Sequence, residues 1–163
     1  MPEGIELCKI NITEFLRDAK RIIKNTTLGY DYIGLSHAYI SVQFAVEELG
    51  KILILRDKLK DEESDPVIIK YEEAFKYHDP KTDKALTFLG EEFKRLYDGG
   101  IFEKGCVEKG VRPVVEDTYV THETRLDCTF VDYYADHWQL GRIIKKNLLV
   151  KLMKRIEERL PDA

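Results

Sequence analysis

The clearest periodicity in the chain lies over 31–60, where Ala38, Val42, Ala45, Leu49, Ile52 and Leu59 recur at steps of three and four, broken by Arg56. That spacing puts them on one face of a long helix, which the acidic run Asp61-Glu62-Glu63-Ser64 ends. Upstream, Ile12, Phe15, Leu16, Ala19, Ile22 and Ile23 form a second stripe, with Asn11 or Thr13 as N-cap and Asn25-Thr26-Thr27 as its end. Two more helices begin at Asp-Pro pairs, because proline in the first helical position gives up an N–H that has no partner there. Asp65-Pro66 opens one over 66–77 and Asp79-Pro80 another over 80–97, stopped by Gly99-Gly100. The apolar stripe of the latter is Ala85, Leu86, Leu89, Phe93 and Leu96, and His78 falls at the corner between the two helices. A last helix, over 139–160, carries Ile144, Leu148, Leu149, Leu152, Met153, Ile156 and Leu160.

Between these patterns, Gly99, Gly100, Gly105, Gly110 and Pro113 make 98–120 an irregular loop. The aromatic stretch that follows, with Phe130, Tyr133, Tyr134 and Trp138, fits either helix or extended chain over 121–136. The chain is thus predicted to be a single all-α domain over 1–163, an up-and-down bundle of about five helices with the 31–60 helix at its centre.

Composition narrows the function classes. A length of 163 residues with 44% hydrophobic and 34% charged residues suits one globular core. No apolar run approaches the roughly 18 residues a membrane span needs, and the opening Met1-Pro2-Glu3-Gly4 lacks the pattern of a secretory signal, so a cytoplasmic protein with no membrane partner is expected. Cys8, Cys106 and Cys128 are odd in number and form no C-x-x-C pair, so they read as small apolar groups. A net charge of −4 argues against coating nucleic acid with the whole surface and leaves room for a local basic patch. The last helix offers one, with Arg142, Lys145, Lys146, Lys151, Lys154, Arg155 and Arg159 against Glu157 and Glu158; a solvated helix face is the competing meaning.

Candidate chemistry concentrates in Phe44-Ala45-Val46-Glu47-Glu48-Leu49-Gly50-Lys51-Ile52. The helical neighbours of Glu48 are Phe44, Ala45 and Ile52, all apolar, so its carboxylate points coreward and needs a cationic or donor partner. Lys51 stands three residues from Glu48 and four from Glu47; a plain exposed pair with Glu47 is the alternative reading. Gly50 costs about 1 kcal/mol relative to alanine in mid-helix, which makes sense where another backbone or a ligand passes close. Further candidate partners are His78, Lys81, Arg125 and Asp132. The Glu-x-x-His pairs of a di-iron bundle, the His-Glu-x-x-His of a zinc protease, the phosphate loop and the Gly-x-Ser-x-Gly elbow are all absent from the sequence, and neither metal nor cofactor is expected.

Three blocks in order, Ala45-Val46-Glu47-Glu48-Leu49-Gly50-Lys51, then Phe75-Lys76-Tyr77-His78-Asp79-Pro80-Lys81, then the segment from Arg125 to Tyr133, resemble the AbiV family of abortive-infection proteins in the HEPN superfamily. The resemblance implies a helical, homodimeric protein of phage defence whose target is RNA or the translation machinery and whose partners include a phage protein. No Arg is followed by a His at the four to six residue spacing that many HEPN ribonucleases carry. A different polar site remains open: Glu47, Glu48, Lys51, His78, Arg125 and Asp132 as the catalytic set, with carboxylate and imidazole as general base and acid on RNA. Lys51 or Arg125 would stabilise the phosphate, and Lys81, Arg142, Lys145, Lys146 and Lys154 would contact RNA. Two readings compete with it, a noncatalytic interaction module with a structural polar network and a nucleotide-binding bundle.

Overall fold

The computed structural model describes residues 2–26, 31–60, 76–91, 93, 132–134, 137–139 and 146–163. Its elements are α1 (Pro2–Asn25), α2 (Asp31–Leu59), α3 (His78–Leu89), the short strands β1 (Asp132–Tyr134) and β2 (His137–Gln139), and α4 (Lys146–Arg159), closed by a 3-10 turn over Leu160–Asp162. Among the described residues the architecture is all-α apart from one antiparallel hairpin, in which Tyr133 stands opposite Trp138. The predicted helix over 66–77, except Lys76 and Tyr77, and the loop over 98–120 lie outside the described residues.

Helix α2 is central. It packs along α1 and α3 and touches α4, and Ala38, Val42, Ala45, Val46, Leu49 and Ile52 along it are all buried. Their partners are Ile12, Leu16 and Ala19 of α1, Ala85, Leu86 and Leu89 of α3, and Leu149, Leu152 and Ile156 of α4, which together make one core cluster. Leu59, by contrast, ends exposed. Arg56, the break in the predicted stripe, donates from Nη1 to the Asp162 carbonyl at 2.8 Å and so ties the C-terminal turn to α2.

Three predicted boundaries are corrected. Helix α1 begins at Pro2 rather than at Asn11 or Thr13, because Ile5 and Cys8 extend the buried stripe by two more turns and proline is tolerated at the start. Inside that helix Thr13 Oγ1 bonds back to the Lys9 carbonyl at 2.9 Å, so its hydroxyl serves the preceding turn instead of a cap. Helix α3 begins at His78 and ends at Gly90, not near residue 97: Gly90 takes φ of 110° and its N–H closes on the Leu86 carbonyl at 3.0 Å. The apolar stripe nevertheless continues past the break, and Phe93 is buried. The last helix does not begin at 139, since His137–Gln139 pairs as a strand; α4 is described from Lys146 onward.

Candidate functional site

Adjacent residues on a helix point about 100° apart, and on α2 this sends Glu47 and Glu48 to different neighbours. Glu48, 8% exposed, faces α1. Its Oε1 accepts from Lys51 Nζ, and its Oε2 accepts from Asn11 Nδ2 at 3.3 Å. The buried Cys8 thiol, one turn earlier on α1, completes this cluster. Burial, the hydrogen bond to Glu48 and the charge of Glu48 push that thiol up to about 12, with the Lys51 ammonium pulling the other way. This thiol is therefore a packing group rather than a nucleophile.

Glu47 is the deeper of the two at 5% exposed, and it faces α3. Its Oε2 lies 2.6 Å from His78 Nδ1. An ionised carboxylate at that distance accepts from Nδ1–H, the tautomer in which Nε2 is the acceptor nitrogen of the neutral ring. The His78 side chain is 38% exposed, which makes it the half-open end of an otherwise buried pair.

Gly50 explains how α3 comes so near. A Cβ built there would stand 2.5 Å from the carbonyl carbon of Lys81 and 2.8 Å from its Cα, so the two helices cross backbone against backbone. The expectation that another segment passes close to Gly50 identifies this crossing, one turn of α3 after His78. Lys81, expected from the sequence to contact RNA, is only 4% exposed, because the crossing encloses it.

Three further polar groups on α2 were not singled out by the sequence reading. Ser36, Tyr39 and Gln43 are buried, and with Glu47 they form a row at three- and four-residue steps. Sandwiched among strongly apolar positions, they look like ordinary members of an amphipathic helix until both faces of α2 are known to be covered. A helix buried all round is their only sequence signal.

The basic face of the last helix divides. Arg155 Nε donates to the Leu89 carbonyl at 3.2 Å, and its guanidinium lies 5.4 Å from the Phe93 ring. Arg159 Nη2 reaches the Phe88 carbonyl at 3.5 Å, with its guanidinium 4.4 Å from the ring of the same residue. These two arginines satisfy the orphan carbonyls at the end of α3 and are structural. Lys146 and Lys154 are exposed, Lys154 lying 3.8 Å from Glu158. Arg125, Arg142 and Lys145 lie outside the described residues, and Asp132 is placed by its backbone alone, at the start of β1.

Among the described residues, no helix is long and apolar enough to cross a membrane. No curated protein and no solved structure matches the chain. The family model of AbiV, within the HEPN proteins, matches residues 1–160. With that match running from the first turn of α1 to the end of α4 over an all-α fold, the chain belongs to the AbiV family of HEPN abortive-infection proteins.

Proposed function

We propose that this protein acts in phage defence by binding RNA or a component of the translation machinery, with the His78 imidazole, held by Glu47, as the group that meets the target. The observation that supports this reading is the pairing of a buried carboxylate with a half-exposed histidine at the start of a helix. Glu47 fixes the tautomer and the ring orientation, so Nε2 serves as the base toward a ribose hydroxyl or, once protonated, as the acid toward a leaving oxygen. Lys51 donates to Glu48, so a phosphate at this site would compete with that carboxylate for its ammonium group.

The test is incubation of the pure protein with total RNA, with and without a divalent metal, beside His78→Gln and Glu47→Gln. Cleavage or retention of RNA lost in His78→Gln, with helicity by circular dichroism unchanged, is the expected result. RNA handling that is identical in all three proteins would remove His78 from the function. Retention without cleavage assigns the noncatalytic form.

A second reading, in which the polar network only fixes packing, is favoured for Glu48 by the origin of its partners. Cys8, Asn11 and Lys51 all come from the chain itself and leave the carboxylate enclosed. The defence reading also takes the protein to be a homodimer with a phage protein among its partners; sedimentation at tens of micromolar, a typical weak-interface range, tests the dimer.

A further inference from the structure

A groove of about 320 Å³ runs between the C-terminal part of α1 and the length of α4 from Lys146 to Glu157. Its rim carries Lys20 and Lys24 from α1 and Lys146 and Lys154 from α4, against one carboxylate, Glu157. That carboxylate is already bound by Lys20, which bridges the two helices and closes one side. Among the described residues, Lys24 and Lys146 have no carboxylate within ion-pair distance. The floor is apolar: Ile23 and Met153 are buried, and Val150, at 45% exposed, is left open between lysines.

A solvated helix face explains scattered lysines and does not explain this arrangement. Four lysines on two separate helices line one concavity; Lys20 and Lys154 are drawn to Glu157 and Glu158, Lys24 and Lys146 face it with no carboxylate of their own, and Val150 lies open beside them. The volume falls at the low end of the range that small-ligand sites occupy. An anion between Lys24 and Lys146 supplies the counter-charge that these two lysines lack, and a flat apolar body covers Val150.

We propose that this groove is a binding site for a phosphate monoester carried on an aromatic or other flat apolar body, with Lys24 and Lys146 gripping the phosphate and Val150 and Met153 supporting the body. The site lies apart from Glu47 and His78, and it does not rest on the defence reading. Its failure leaves that reading standing. A free small ester and the phosphorylated end of a nucleotide chain share the chemistry that the groove selects.

Titration calorimetry at low salt with phenyl phosphate, inorganic phosphate and benzyl alcohol tests the proposal on the full chain. Phenyl phosphate is expected to bind about tenfold or more tightly than either of the others, which each hold half of its features. Lys24→Ala with Lys146→Ala is expected to weaken it by a similar factor, and Val150→Asp to abolish it. Lys58→Ala with Lys60→Ala, which removes equal charge from the end of α2, is expected to leave it unchanged. Equal affinity for phenyl and inorganic phosphate, equal loss in the two double variants, or no binding overturns the site. Competition by an oligoribonucleotide with and without a terminal phosphate identifies the source. Displacement by the phosphorylated form alone assigns a chain end, displacement by neither assigns a free ester, and equal displacement by both overturns the site in favour of general backbone attraction.

Discussion

The carbonyl group of Lys81 occupies the space that a side chain at position 50 would need, so Gly50 and Lys81 mark the point where α2 and α3 meet backbone to backbone. Exposed in mid-helix, a glycine gains about 1 kcal/mol on replacement by alanine. Here the sign reverses. The obstructing atoms belong to main chain and do not swing aside, so Gly50→Ala is expected to lower stability by roughly 1–3 kcal/mol or more by forcing α3 away. Urea unfolding measures it, and a stabilised variant would show that the helices do not cross at this point.

Because that crossing also seats His78 beside Glu47, a displaced α3 carries a second consequence. Gly50→Ala is expected to lose the coupling between Glu47 and His78, which is measured as the interaction energy of Glu47→Gln and His78→Gln in the wild-type and Gly50→Ala backgrounds. Equal coupling in both backgrounds would mean that the pair forms without the close approach.

Glu48 differs from Glu47 in what its loss leaves behind. Removing it orphans Lys51 and Asn11 inside the α1–α2 seam, so Glu48→Ala is expected to cost about 1–3 kcal/mol. Replacing Lys51 as well, by methionine, should recover part of that loss, since a carboxylate and an ammonium removed together leave less uncompensated charge. An additive double variant would place the two side chains out of contact.

Cys8 supplies a dependence on pH. Its thiol ionises near 9 when free and near 12 in the folded chain, so folding favours the protonated form. That contribution to stability is complete below pH 9 and is lost as the pH rises from there toward 12. At pH 8 the folded chain therefore holds far less Cys8 thiolate than the unfolded chain. In a Cys106→Ser, Cys128→Ser background, iodoacetamide is expected to label Cys8 slowly in buffer and rapidly in urea; similar rates in the two would contradict its burial.

Arginines and lysines of α4 are expected to separate in a stability scan. Arg155→Ala loses the bond to the Leu89 carbonyl and the packing on Phe93, a cost of roughly 1–2 kcal/mol. Lys154→Ala, at an exposed position with a 3.8 Å ion pair, should change stability by no more than a few tenths of a kcal/mol. Equal effects would mean that Arg155 does not cap α3.

The sequence by itself determined the helical character of the described chain, the central place of α2 and the inward turn of Glu48, because each follows from a three-to-four residue spacing that any helix must obey. It also marked Gly50 as a place of close approach, since a costly residue in mid-helix needs a reason. Ends of elements were less legible: Asn11 and Thr13 have the chemistry of caps, yet the buried stripe of Ile5 and Cys8 carries α1 past them, and Gly90 halts α3 where the apolar pattern runs on. Only the tertiary structure decided that Glu47 and Glu48 serve different helix pairs, that Lys81 is enclosed and that the basic face of α4 splits between α3 and α1. Spacing along one helix fixes the angle between two side chains, whereas the neighbour that lies at the end of each angle is set by how separate helices pack.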